Sequence, residues 1–149
     1  MNCFVALGLS HDDGDCAVSY ARWMIDDMLA HVRAGLVRVR PGDLAREMAA
    51  GALVVDTRPI EQRARDGALA GAIVLDRNVL EWRLDPQSAS RIAETGYDRR
   101  IVIVCNEGYS SSLAAATLRS LGLVFATDLI DGYQGLMSLA TAPQLLAGQ

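Results

Sequence analysis

The sequence predicts an α/β domain, a largely parallel sheet of about five strands with helices on both faces, preceded by an amphipathic helix. Three observations carry this. Short apolar runs of strand length ("ALVVDT", "GAIVLD", "IVIVC", "ATDLIDG") recur along the chain, as expected of parallel strands buried on both faces. Stretches with helical spacing or helix punctuation lie between them, which is the alternation of a parallel sheet. The chain has 149 residues, of which 51% are hydrophobic, enough for one packed core.

Taken in order, the first periodic segment is "DCAVSYARWMIDDMLAHVRAG". Val18, Ala21, Met24, Ile25, Met28, Leu29 and Val32 recur at helical spacing, and Arg22, Asp26, Asp27 and Arg33 fall largely on the other side. Asp15 serves as N-cap and Gly35 as the stop. This helix is expected to pack on its own domain or on a partner subunit. A division follows, with residues 1–35 an N-terminal extension and 36–149 the main domain. "LVRV" is a short strand candidate, and "PGDLAREMAAG" a helix opened by Pro41 and closed by Gly51. "ALVVDT" is a buried strand, "PIEQRARDG" a short helix ending near Gly67, and "GAIVLD" a third strand. "NVLEWRLDPQSASRIAETG" reads as one or two short helices broken at Pro86. "IVIVC" is the fourth strand, "SSLAAATLRSLG" a strong helix, "ATDLIDG" the fifth strand and "YQGLMSLATAPQLL" a last helix. There is no internal repeat, and no glycine pattern of a dinucleotide or phosphate loop.

Charge and composition exclude several classes. A net charge of -4 does not suit a nucleic-acid binder. All 14 basic residues are arginine, which removes Schiff-base lysine chemistry. No apolar run reaches the roughly 20 residues of a membrane span. The opening "MNCFVALGLSHDDGD" lacks a basic region and turns acidic, so no signal peptide is expected. Cys3, Cys16 and Cys105 are odd in number and far apart, so neither a zinc site nor a disulfide framework is indicated. Free thiols suit a reducing, cytoplasmic setting.

Cys105 ends an apolar strand, and "NEGYSSS" leads from it into a helix. Open α/β sheets bind ligands outside the carboxyl ends of their strands. A helix starting at Ser110 or Ser111 directs unpaired amides back over the loop, and a helix N-terminus lowers the pKa of a nearby thiol. Gly108 gives the loop backbone freedom, so that successive amides can form a nest around the sulfur. From spacing alone a reactive thiol and an inert buried cysteine are about equally weighted.

From Val37 to Leu139 the chain resembles single-domain rhodanese-like sulfurtransferases. "CNEGYSS" is similar to that family's active-site loop, "LVVDTRPIEQRARDGALAGAIVL" to its Asp-x-Arg strand-and-loop motif, and "LIDGYQGL" to its closing motif. The resemblance implies that Cys105 takes a sulfane sulfur from a donor such as thiosulfate and carries it as a persulfide. A thiol, cyanide or protein thiol would accept it. It makes Asn106, Glu107, Gly108, Tyr109, Ser110 and Ser111 the loop that binds the sulfur, and Asp56 and Arg58 a supporting pair. In this family six-residue loops, counted from the cysteine, accompany sulfur substrates. Seven-residue loops ending in arginine accompany phosphatase relatives. Cys105 to Ser110 is the six-residue form without arginine, so a bidentate phosphate clamp is lacking.

No cofactor or metal is implied. "HDDGDC" lacks calcium or zinc spacing and reads as a solvated lead-in. Cys3 and Cys16 read as bystanders, and His31 as a residue favouring a helix C-terminus. Glu107 opposes an anionic donor if it faces the pocket. Arg58, Arg77 and Arg83 are the cations that could offset it, and Trp82 is read first as core packing. The alternative function is a non-catalytic rhodanese-like binding or regulatory module, docked through the N-terminal helix. A phosphoester hydrolase is a weaker third reading. The same helix leaves a homodimer open.

Overall fold

The structure, a computed structural model, describes residues 22–141. Four strands form one parallel sheet: β1 (Leu53–Asp56), β2 (Ile73–Val74), β3 (Ile101–Val104) and β4 (Ala126–Asp128), in the order β2-β1-β3-β4. Six helices accompany them among the described residues: α1 (Ile25–Ala34), α2 (Leu44–Ala49), α3 (Ile60–Asp66), α4 (Leu80–Leu84), α5 (Ser110–Ser120) and α6 (Gly132–Thr141). Short 3₁₀ turns lead into α2 and α4.

Strand residues alternate between two cores. Leu53, Val55, Ile101, Ile103 and Ala126 pack with Leu80 and Leu84 of α4 and Ala114 and Leu118 of α5. Val54, Val102 and Val104 face the other way, onto Leu44, Leu129 and Tyr133. Both faces are thus covered, which is why the strands read as unbroken apolar runs. In-register pairing of Asp56 with Val104, and of Ile103 with Asp128, brings the carboxyl ends of three strands to one edge.

Two local expectations change. Residues 22–24 are not helical, Met24 is extended, and α1 starts at Ile25 rather than Asp15. Asp26 and Asp27 then occupy the first turn, where acidic side chains suit the helix dipole. Residues 15–21 lie outside the described residues, as do 142–146 of the last helix, "HDDGDC", Cys3 and Cys16. The strand expected at 36–39 contracts to a single parallel bridge, Val39 to Leu129. Its backbone pairing stops there because Pro41 opens a 3₁₀ turn directly after extended Arg40. Of the one or two short helices expected around Pro86, one α-helix forms: α4 ends at Leu84, before Pro86, and residues 85–100 run as turns. Helix α1 packs against α5 of its own chain, burying Leu29 and Val32.

Candidate active site

Cys105 follows β3 directly and is 7% exposed. Its Sγ accepts hydrogen bonds from the backbone N–H of Gly108 at 3.1 Å and of Ser111 at 3.4 Å. The thiol donates to Ser111 Oγ at 3.1 Å. Gly108 can aim its amide this way because its φ is +82°, a conformation that side chains resist. A Cβ there would lie 2.7 Å from the Asp131 nitrogen. Burial pushes the thiol pKa up, but the Ser111 hydroxyl and amide, the Ser110 hydroxyl and the Gly108 amide outweigh it, leaving the pKa below the ordinary thiol value. The sulfur thus sits at the mouth of α5 in the amide nest that its position after β3 suggests.

A second layer stands behind Ser111. Its hydroxyl donates to Asp128 Oδ2 at 2.8 Å, and the Ser112 hydroxyl donates to the same oxygen at 2.8 Å. Asp128 is fully buried at the end of β4. Arg38 pairs with both its oxygens, Nε to Oδ1 at 2.8 Å and Nη2 to Oδ2 at 3.1 Å. The chain Cys105–Ser111–Asp128–Arg38 therefore runs from the surface cleft into the core with each link hydrogen-bonded.

Helix α6 holds the other side of the loop. The N–H of Tyr133 donates to the Cys105 carbonyl at 2.9 Å, and that of Gln134 to the Asn106 carbonyl at 3.0 Å. First-turn amides of a helix have no partner within it, and here the loop carbonyls fill that role. Gly132, at φ +56°, lets the chain pass so close that an added Cβ would overlap the Cys105 carbonyl oxygen and lie 2.7 Å from the Asn106 carbonyl carbon. The Gln134 amide also donates to the Asn106 side chain at 3.1 Å and to Asp66 at 3.0 Å.

Asp56 and Arg58 form a buried ion pair, with Nη2 2.7 Å from Oδ2 and Nε 3.0 Å from Oδ1. Arg58 Nη2 also donates to the Gly67 carbonyl at 3.0 Å, and its guanidinium carbon lies 3.5 Å from the centre of the Tyr133 ring. The pair fixes the turn after β1, the supporting position the sequence suggests.

An open cleft of 360 Å³ meets the sulfur. Cys105, Asn106, Glu107, Tyr109 and Ser110 line it from the loop; Thr57, Arg58, Pro59 and Gln62 line it from the turn after β1. Gly108 and Ser111 lie behind the sulfur and are buried. Glu107 is exposed on the cleft wall. Arg77 and Arg83 do not offset it: Arg77 pairs with Glu81 beside a neighbouring groove, and Arg83 donates to the Ser90 carbonyl. Trp82 is not core either. It is 62% exposed because the apolar contacts of α4 are made by Leu80 and Leu84. Among the described residues, no group of three or more His, Cys, Asp or Glu side chains could hold a metal, and no helix is long and apolar enough to cross a membrane.

Sequence reasoning passed over Ser112, Asp128, Arg38, Thr57 and Gln62. The available signal was a charge inside an apolar run, Asp128 in "ATDLI" and Arg38 in "LVRV". Buried charges require partners, and these two partner each other.

The rhodanese-like domain family matches residues 40–138. Searching curated proteins returns no sequence match. Among solved structures, one similar chain is a Rhodopseudomonas palustris protein of unknown function, a possible tyrosine phosphatase. It shares 25% identity at a TM-score of 0.73, over 82% of this chain and 95% of that one. The human single-domain sulfurtransferase is 24% identical with a TM-score of 0.59, over 68% of this chain and 95% of its own. A rhodanese-related protein from Thermoplasma volcanium is 22% identical with a TM-score of 0.54, over 68% and 90%. The last two likenesses are of fold.

Proposed function

The chain belongs to the rhodanese-like domain family, and from that premise we propose that it is a sulfurtransferase with Cys105 as the sulfur carrier. The observation that carries this is the sulfur itself, ending a parallel strand, with two backbone amides and a hydroxyl directed at it and a lowered pKa. A thiolate in that setting is a nucleophile, and the same donors can stabilise negative charge on a terminal sulfur.

The reaction has two displacements. The Cys105 thiolate attacks the outer sulfur of a donor such as thiosulfate. A sulfur–sulfur bond forms to Cys105, the bond within the donor breaks, and sulfite leaves with the electron pair. The acceptor, a thiolate or cyanide, then attacks the terminal sulfur of the persulfide, and the Cys105 thiolate leaves. No metal or cofactor enters either step. A protein thiol is an equally suitable acceptor, and the cytoplasm the fitting compartment, since a reducing setting keeps the released Cys105 thiolate from oxidising.

Glu107 shapes the choice of donor. Its carboxylate lines the cleft, and Arg58 beside it is already paired with Asp56. A neutral or cationic persulfide donor should therefore load the enzyme faster than dianionic thiosulfate, most clearly at low salt. The exposed Glu107 also favours the second reading, a binding module that no longer turns over. Phosphoester hydrolysis has less support here: the loop 105–110 carries no arginine.

The test is intact mass and peptide mapping after incubation with thiosulfate and, separately, with a neutral persulfide donor. The expected result is one added sulfur on Cys105, removed by cyanide, and none in the Cys105→Ser variant. No added sulfur from either donor, with Cys105 still open to alkylation, would leave the binding-module reading.

A further inference from the structure

The residues matched by the family begin at 40, yet two side chains from before that point reach the loop. Arg33, in the last turn of α1, donates from Nη2 to the Gly108 carbonyl at 2.7 Å and from Nε to Ser112 Oγ at 3.1 Å. Its guanidinium carbon stands 5.5 Å from the centre of the Tyr109 ring. Arg38 donates to the same carbonyl at 3.1 Å while holding Asp128. The Ser112 hydroxyl lies 3.2 Å from that carbonyl as well.

Gly108 supplies the shorter of the two N–H contacts to the Cys105 sulfur. A glycine is free to rotate about both its backbone dihedrals. Its carbonyl therefore needs an anchor if its amide is to stay on the sulfur, and two guanidinium groups from outside the matched domain supply it beside the Ser112 hydroxyl. The helix that supplies Arg33 is itself fixed, with Leu29 and Val32 buried against α5 and Leu36 buried just after it.

We infer that α1 and the segment after it, residues 25–39, are part of the active site, and that Arg33 is a positioning residue that keeps the Gly108 amide directed at Cys105. The working unit accordingly starts at α1 rather than at residue 40. Assigning turnover to that unit rests on the sulfurtransferase reading; the effect on the thiol does not.

The test compares full-length parent, Arg33→Met and Arg33→Lys. Methionine keeps the apolar stem and removes every donor; lysine restores a cationic donor of similar reach. Thermal melting, the pH profile of Cys105 alkylation by iodoacetamide (read on its own peptide) and sulfur loading are measured on each. The expected result for Arg33→Met is a near-parental melt with a profile moved to higher pH by up to about one unit, so that alkylation at pH 7 slows up to about tenfold. Loading slows in proportion, and Arg33→Lys recovers most of both. A parental profile in Arg33→Met would overturn the inference whatever happens to loading. So would a variant that fails to fold, since Arg33 would then be a folding residue only. A shifted profile in a protein that takes no sulfur even as parent would uphold the inference and remove the sulfurtransferase reading instead.

Discussion

Replacing Ser111 by alanine isolates the hydroxyl closest to the reacting sulfur. That hydroxyl lies 3.1 Å from Cys105 Sγ and 2.8 Å from Asp128 Oδ2. With the thiol protonated, S–H donates to Ser111 and Ser111 donates to Asp128. Once the thiolate forms, the hydroxyl proton serves the sulfur best, and Asp128 keeps Ser112 and Arg38. A hydrogen bond to a charged group contributes about 1.5–3 kcal/mol. Because this one is drawn away from Asp128, the lower end applies, which at about 1.4 kcal/mol per unit is roughly one pKa unit. The thiol pKa should therefore rise in Ser111→Ala, and alkylation of Cys105 at neutral pH should slow about tenfold.

The assay is the rate of iodoacetamide alkylation against pH, read on the Cys105 peptide so that Cys3 and Cys16 do not intrude. Thr117→Ala is the control: its hydroxyl donates to the Leu113 carbonyl of the same helix and does not touch the loop, so it should leave the profile near that of the parent. The sign extends to stability. A thiol pKa depressed by folding adds stability above the unfolded value of about 8.5, and that gain disappears as pH falls through the folded value. Ser111→Ala should thus lose stability more at alkaline than at neutral pH. Superimposable alkylation profiles for Ser111→Ala and parent would refute the reasoning and leave the two amides and the Ser110 hydroxyl as the cause of the lowered pKa.

Two further outcomes follow from the same geometry. Asp56→Ala strands the Arg58 guanidinium, whose side chain is 0% exposed, and should cost about 3–5 kcal/mol in urea unfolding; a loss under about 1 kcal/mol would show that the Gly67 carbonyl and the Tyr133 ring suffice. Gly132→Ala drives a Cβ into the Cys105–Asn106 peptide at a left-handed φ, and should both lower the urea midpoint and move the Cys105 alkylation profile to higher pH. An unchanged profile would mean that α6 does not shape the loop.

What the sequence made legible is local. The strand "IVIVC", the glycine three residues after the thiol and the serines opening α5 are contiguous, and their order dictates a sulfur facing helix amides. The Asp56–Arg58 pair spans two residues and is legible through the family resemblance. What stayed hidden is long in sequence separation. Arg33 meets Gly108 across 75 residues, and Arg38 meets Asp128 across 90. No periodicity encodes which loop such a side chain reaches. The start of α1 was misplaced because the apolar spacing continues upstream through Met24 and Ala21, whereas the chain at residues 22–24 is not helical. "LVRV" has strand composition throughout, but only Val39 makes a backbone bridge to a neighbouring segment. Trp82 suits the core by its type, but Leu80 and Leu84 on the same short helix fill that space.

The loop carbonyls of Cys105 and Asn106 bind amides at Tyr133 and Gln134, while the carbonyl of Gly108 binds Arg33. The thiol's surroundings are thus closed by the first and the last described helices at once. A chain in which either helix has come away retains Cys105 and the α5 donors, but should hold the Gly108 amide less firmly on the sulfur. The pH profile of Cys105 alkylation therefore acts as a gauge of complete folding: mild denaturant should move it to higher pH by releasing a helix, before the sheet beneath it opens.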